Sequence, residues 1–140
     1  MKSSDDCIFC RIVAGTIPCV KVFEDDKVLA FMDVNPLNRG HLLVIPKEHW
    51  VTIDEVDPDL YAHVGSVLCR LAKAVRSAVN PEGMTVMQLN GRAGNQVVPH
   101  LHVHLVPRWE NDGLPITAWD PVPGDPAERV EIAEAIKAAL

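Results

Sequence analysis

The sequence has no apolar run long enough to cross a membrane. Its longest, Leu42-Leu43-Val44-Ile45, is strand-sized, against the ~18 residues a spanning helix needs. An export signal is missing too: behind Lys2 the chain continues Ser3-Ser4-Asp5-Asp6, with no apolar stretch following. These absences argue against a membrane partner and lead us to expect the cytoplasm. Positive charge is scarce. The 13 Lys and Arg stand against 19 Asp and Glu, a net charge of −6. That disfavours long nucleic acid, whose binding relies on basic side chains displacing counterions. It leaves room for a small anion held by a local cluster of donors. No repeat, low-complexity tract or linker interrupts the chain before Pro107. With 140 residues, 48% hydrophobic and 23% charged, the expectation is one domain over 1–140. Within it, 1–6 reads as a flexible N-terminus and 107–140 as a C-terminal segment and helix. A chain this long buries roughly 68–70% of its unfolded surface and needs no covalent staples. Cys7, Cys10, Cys19 and Cys69 therefore read as reduced thiols, with Cys69 placed in the core.

The patterning predicts an α+β chain. Residues 7–14 read as a short helix capped by Asp6 and stopped by Gly15. Strands are expected over 20–24, 27–34, 41–45, 84–89 and 100–106. Between the third and fourth lies the strongest element, a helix over 58–79. Asp57 suits its N-cap, Pro58 its first turn, and Leu60, Val64, Val67, Leu68, Leu71, Val75 and Val79 repeat at helical spacing. A last helix starts at Asp125-Pro126, with Glu128 at capping-box spacing. Together these predict a five-stranded, largely antiparallel sheet with one long and one C-terminal helix. His63, beside the apolar stripe, reads as structural, and Trp50, Trp109 and Trp119 as packing or interface residues.

What the chain does have is histidine, six in all, three of them within five residues. In His100-Leu101-His102-Val103-His104-Leu105-Val106 the imidazoles alternate with core residues, so on a strand they share one face. A solvent-facing row and an all-histidine metal site are the bland alternatives. Mutual repulsion keeps such rings partly neutral, as a nucleophile or proton shuttle requires. The preceding loop, Asn90-Gly91-Arg92-Ala93-Gly94-Asn95-Gln96, offers two glycines and three side-chain amides, donors able to approach an anion. Loop and histidines together suggest a phosphate held beside an imidazole nucleophile.

These residues resemble the histidine-triad (HIT) family motif, His-φ-His-φ-His-φ-φ. The likeness extends over Cys7-Ile-Phe-Cys10, Phe23-Glu-Asp-Asp26, Ala30-Phe-Met-Asp33 and Gly40-His-Leu-Leu-Val-Ile-Pro-Lys-Glu-His49, in the manner of the bacterial Hint-like branch. The resemblance implies a nucleotide hydrolase or transferase acting at the α-phosphate. His102 would be the nucleophile, oriented through its other ring nitrogen by a backbone carbonyl, and His104 would contact a phosphate oxygen. His41 would sit behind the triad, linked to His100. Asn90, Gln96 and the amides around Val97 and Val98 would hold the phosphate. Asp33 would bind the ribose hydroxyls, and Ile8, Phe9, Ile12, Phe31 and Val34 would line the base pocket. Val97 departs from the Ser or Thr common in animal members, so the leaving amine would be protonated through His104 or water.

Cys7 and Cys10, at i and i+3, are half of a tetrahedral metal site. By resemblance His49 and His100 complete it, as a structural zinc site, and the motif demands no catalytic metal. The implied partners are a purine nucleotide such as AMP or an adenosine phosphoramidate, and a second copy of the chain in a homodimer. Four activities compete at this stage. They are a purine nucleoside phosphoramidase, a diadenosine polyphosphate hydrolase of the Fhit-like kind, a nucleotide-binding regulatory protein with incidental hydrolysis, and zinc handling.

Overall fold

Strands β1 (Lys21–Glu24) and β2 (Val28–Met32) form a hairpin in the computed structural model, which describes residues 2–115 and 121–140. Asp25 closes it, its Oδ1 accepting the N–H groups of Lys27 and Val28 at 2.8 Å each. Next come β3 (Leu42–Pro46), the long helix (Pro58–Val79), β4 (Gly83–Gln88), a 3-10 turn (Arg92–Gly94) and β5 (Val103–Arg108). β5 inserts between β3 and β4, giving the order β1-β2-β3-β5-β4 with every neighbouring pair antiparallel. We number the helices α1 (Ile8–Val13), α2 (Pro58–Val79) and α3 (Pro126–Ala139). No helix among the described residues is long and apolar enough to cross a membrane.

The central strands are covered on both faces, which is why β2 and β3 read as continuous apolar runs rather than alternating ones. One face, with Val28, Ala30, Leu42, Val44, Val103 and Leu105, packs on Val64, Val67, Leu71 and Val75 of α2. Each valine or leucine side chain here contributes about 1.5–3 kcal/mol on full burial. On the other face Leu29, Phe31, Leu43 and Ile45 pack on Cys7, Phe9 and Cys10, at and just before α1. His104 pairs across the sheet with Leu43 and so belongs to the α1 face. Helix α1 thus covers the face on which the histidines open.

Lys2 O accepts the His49 N–H at 2.7 Å, and the Lys2 ammonium lies 4.1 Å from the centre of the Trp50 ring. Several expectations are corrected. The N-cap of α1 is Cys7, whose Sγ accepts the Cys10 N–H, and not Asp6. Cys69 is exposed, because it lies about 200° around α2 from both Val67 and Leu71. The regular strand begins at Val103, three residues later than expected. The β3–β5 ladder ends at the Val44–Val103 pair, and the Leu101 N–H turns to Trp50 O instead. Trp119 lies outside the described residues.

Candidate active site

His100 lies in a bend, and Leu101 and His102 lead from it into β5. Leu101, Val103 and Leu105 are buried, Leu101 in a separate small cluster with Val56 and Leu60. The rings of His102 and His104 lie 4.9 Å apart. Phe9 of α1 meets His102 and His100 edge-on, at 5.2 and 5.8 Å between centroids, and Phe31 at 5.5 Å. This one side chain wedges the histidine run against the sheet.

Each imidazole has its proton placed by a fixed neighbour. His102 donates from Nδ1 to the His100 carbonyl at 2.6 Å, which leaves its Nε2 with a lone pair. His100 donates from Nε2 to the Pro46 carbonyl at 2.8 Å, freeing its Nδ1. The Leu37 N–H donates to His41 Nδ1 at 2.9 Å, so the proton of neutral His41 sits on Nε2. From there it is donated to His104 Nδ1 at 3.0 Å, and the proton of neutral His104 must lie on Nε2. His41 therefore pairs with His104 and not with His100, because the start of β3 sits beside β5. All four rings are held neutral. Burial pushes His41 and His102 below the usual histidine range and takes His100 and His104 down to about 4, with neighbouring rings adding to it.

His102 and His104 open onto a cleft of about 460 Å³. Ile8, Phe9, Ile12, Phe31, Asp33, Val34, Val97 and Val98 also line it, bringing together most of the residues singled out in the sequence. Val34 and Val97 stand at its mouth, 87% and 89% exposed. Asp33 accepts the Asn35 N–H through Oδ1 at 2.8 Å, while Oδ2 lies 3.5 Å from His41 Nε2. Asn90 and Gln96 are not among the lining residues; the structure uses them as ties. Asn90 Oδ1 accepts the Ile53 N–H, and its amide pairs with that of Gln88. The buried Gln96 accepts the Gly91 N–H and donates to the carbonyls of Val51 and Val98.

Behind the triad, Cys7, Cys10, His49 and His100 form a second cluster, their ligand atoms all within 4.8 Å of one another. Cys7 Sγ and Cys10 Sγ lie 3.3 and 3.5 Å from His100 Nδ1, and His49 Nδ1 lies 3.3 Å from Cys10 Sγ and 3.2 Å from His100 Nδ1. A tetrahedral zinc with bonds of about 2.0–2.3 Å has ligand edges of roughly 3.3–3.8 Å. Geometry and donor set both fit. Burial raises the Cys7 thiol and lowers His49. Asp33, His41 and His104 also converge. Their geometry fits a proton better than a cation, since the Leu37 N–H keeps hydrogen on His41 Nε2.

Residues 14–111 match the model of the HIT domain. The chain belongs to the HIT domain family. This HIT chain is 40% identical, over 96% of its length and 98% of the relative's, to Adenosine 5'-monophosphoramidase hnt1 of Schizosaccharomyces pombe. It spans 56% of Adenylylsulfatase HINT3 of Arabidopsis thaliana, at 40% identity over 79% of this chain. Such relatives place it among HIT-family hydrolases. The crystal structure of SMU.412c from Streptococcus mutans UA159 superposes with a TM-score of 0.92 at 38% identity, covering 98% of this chain and 87% of that one. A zinc-bound histidine triad family protein from Mycobacterium smegmatis superposes at 0.73 and 33% identity, over 95% and 97% of the two chains.

The HIT chain also places residues in the cleft wall that the sequence reading missed: Ile17, Pro18, Cys19, Met32, Asn35 and Leu43. Residues 17–19 follow the turn at Gly15, and nothing in their spacing marks them. Only the return of the chain from α1 to the sheet brings them there. His63 donates to Asp25 at 2.7 Å, joining α2 to the β1–β2 hairpin far along the chain from the triad.

Proposed function

We propose that the chain is a purine nucleoside phosphoramidase, cleaving an adenosine 5'-phosphoramidate with water to AMP and the free amine. The observation that carries this reading is the 2.6 Å bond from His102 Nδ1 to the His100 carbonyl, beside a cleft with apolar walls and one carboxylate. It leaves an unprotonated, neutral Nε2 beside the cleft, which is what a nucleophile toward phosphorus needs. The base would lie among Ile8, Phe9, Ile12, Phe31 and Val34, and the ribose hydroxyls would donate to Asp33. Asn90 and Gln96 would shape the phosphate loop, and the amides near Val97 and Val98 would face the anion.

His102 Nε2 attacks the α-phosphorus as the P–N bond to the amine breaks. Water then cleaves the nucleotidyl-histidine, releasing AMP and restoring the ring. His104 offers its Nε2–H to a phosphate oxygen, stabilising charge that grows in the transition state. It is a hydrogen-bond donor and not a net acid. If this neutral ring surrendered its proton, the His41–His104 chain would carry an imidazolate. The amine therefore takes its proton from water or leaves already protonated, consistent with the aliphatic Val97 at this rim.

Zinc held by Cys7, Cys10, His49 and His100 would supply a structural cross-link, its closed four-ligand shell leaving no open position. The wholly exposed α3, with Val130, Ile132 and Ile136 outward, supports a homodimer. Free thiols at Cys7 and Cys10 suit the cytoplasm.

The test is turnover of adenosine phosphoramidate and diadenosine tetraphosphate side by side. Wild type should prefer the phosphoramidate, and His102→Ala should lose more than about 10³-fold in kcat. A preference for the dinucleotide, or an active His102→Ala, would overturn the reading.

A further inference from the structure

The loop over 35–40 joins β2 to β3, and the Asn38 side chain ties it to the end of β5. Asn38 donates both hydrogens of Nδ2, one to the Pro107 carbonyl and one to Asp112 Oδ2, at 3.1 Å each. Asp112 is itself fixed by Arg108 through Nε at 2.7 Å and Nη2 at 3.0 Å. Pro107 lies three residues beyond His104 on β5, so the amide ties the loop to the strand that carries that ring. The Asn38 carbonyl accepts the His41 N–H, and Leu37, next door, donates its own N–H to His41 Nδ1.

That donation decides what the phosphate meets. His41 is 2% exposed, so water cannot readily replace the Leu37 N–H. With the loop in place, His41 has its proton on Nε2, His104 accepts it at Nδ1, and the cleft sees an N–H on His104. With the loop released, His41 is free to hold its proton on Nδ1. Its Nε2 then accepts from His104 Nδ1, and the cleft sees a lone pair, which repels an anionic oxygen.

We propose that Asn38 is a positioning residue for the reaction: by pinning the 35–40 loop to the end of β5 it makes His104 present an N–H, and not a lone pair, to the phosphate. The kinetic consequence rests on the phosphoramidase reading, whereas the tautomer order does not. Asn38→Ala removes the amide. Asn38→Asp keeps its shape but sets a carboxylate against Asp112 and the Pro107 carbonyl. Long-range ¹⁵N–¹H spectra of the imidazoles, taken without substrate, should show Nε2–H tautomers for His41 and His104 in the wild type. In both variants they should show an Nδ1–H population at His41. With adenosine phosphoramidate, kcat should fall about tenfold with KM within about twofold, a partial loss of a donor to the transition state. Unchanged tautomers in both variants, or altered tautomers with unchanged kcat, would overturn the proposal. A wild type with the expected tautomers that leaves the phosphoramidate intact would overturn the functional reading alone.

Discussion

Four neutral histidines lie within a few ångströms of one another, and their roles differ only in which nitrogen meets a carbonyl, an N–H or a thiol. His104 shows what this means for pH. Burial first, then His102 and His41, take it down to about 4. Protonation would place hydrogen on Nδ1, facing the His41 N–H. We therefore expect kcat/KM to hold at neutral pH and to fall as pH drops toward 4, in a pH–rate profile of the free enzyme. Stability follows the same sign. The folded value lies below the unfolded one of about 6.5, so the unfolded chain binds more protons as pH drops through that window. Stability is lost between about 6.5 and 4, and this group takes no more below. Melting temperatures of wild type and His104→Asn across that range check it, with a shallower slope expected for the variant.

At the scale of the element, α1 is too short to be stable alone. Its six residues are held because Phe9 is driven into the gap between Phe31, His100 and His102 while Cys7 caps the helix. Phe9→Ala should cost about 3–5 kcal/mol in urea unfolding, as expected for a buried aromatic. It should also weaken AMP binding by calorimetry, since the same ring walls the cleft. An unchanged midpoint would show that α1 is held some other way. The 35–40 loop depends on backbone in a similar manner. Gly40 has φ +82°, and a Cβ there would lie 3.0 Å from Pro107 Cγ, so only glycine lets the loop reach β5 so closely.

At the scale of the molecule, the candidate zinc quartet bridges three distant pieces: the start of α1, the segment after β3 and the approach to β5. A cross-link of that span stabilises the folded chain by its binding free energy. Protein purified without chelator should carry zinc by metal analysis, lose it in Cys7→Ser, and melt several degrees lower once stripped. Metal-free protein whose melting temperature ignores both zinc and chelator would remove the quartet from the account. His100 connects this cluster to the chemistry, since its Nδ1 faces the thiols and its carbonyl holds His102.

Much of this was legible without coordinates. Alternation between His100 and Val106 placed the imidazoles on one side, and helical spacing set α2 at Pro58–Val79 to the residue. Such signals are local: a strand's period and a cap's chemistry need no partner. The HIT resemblance added the roles, and most of the named residues meet at one cleft. Tertiary structure alone decided the rest. His41 pairs with His104, and Asn38 with Pro107 and Asp112, because β5 enters the sheet beside β3, bringing together residues 63 to 74 positions apart. Asn90 and Gln96 tie the loop to the backbone of Ile53, Gly91 and Val51, pairings that no pattern along the chain displays. Hydrogen-bond order among distant neutral rings follows strand order, and strand order is a property of the folded sheet.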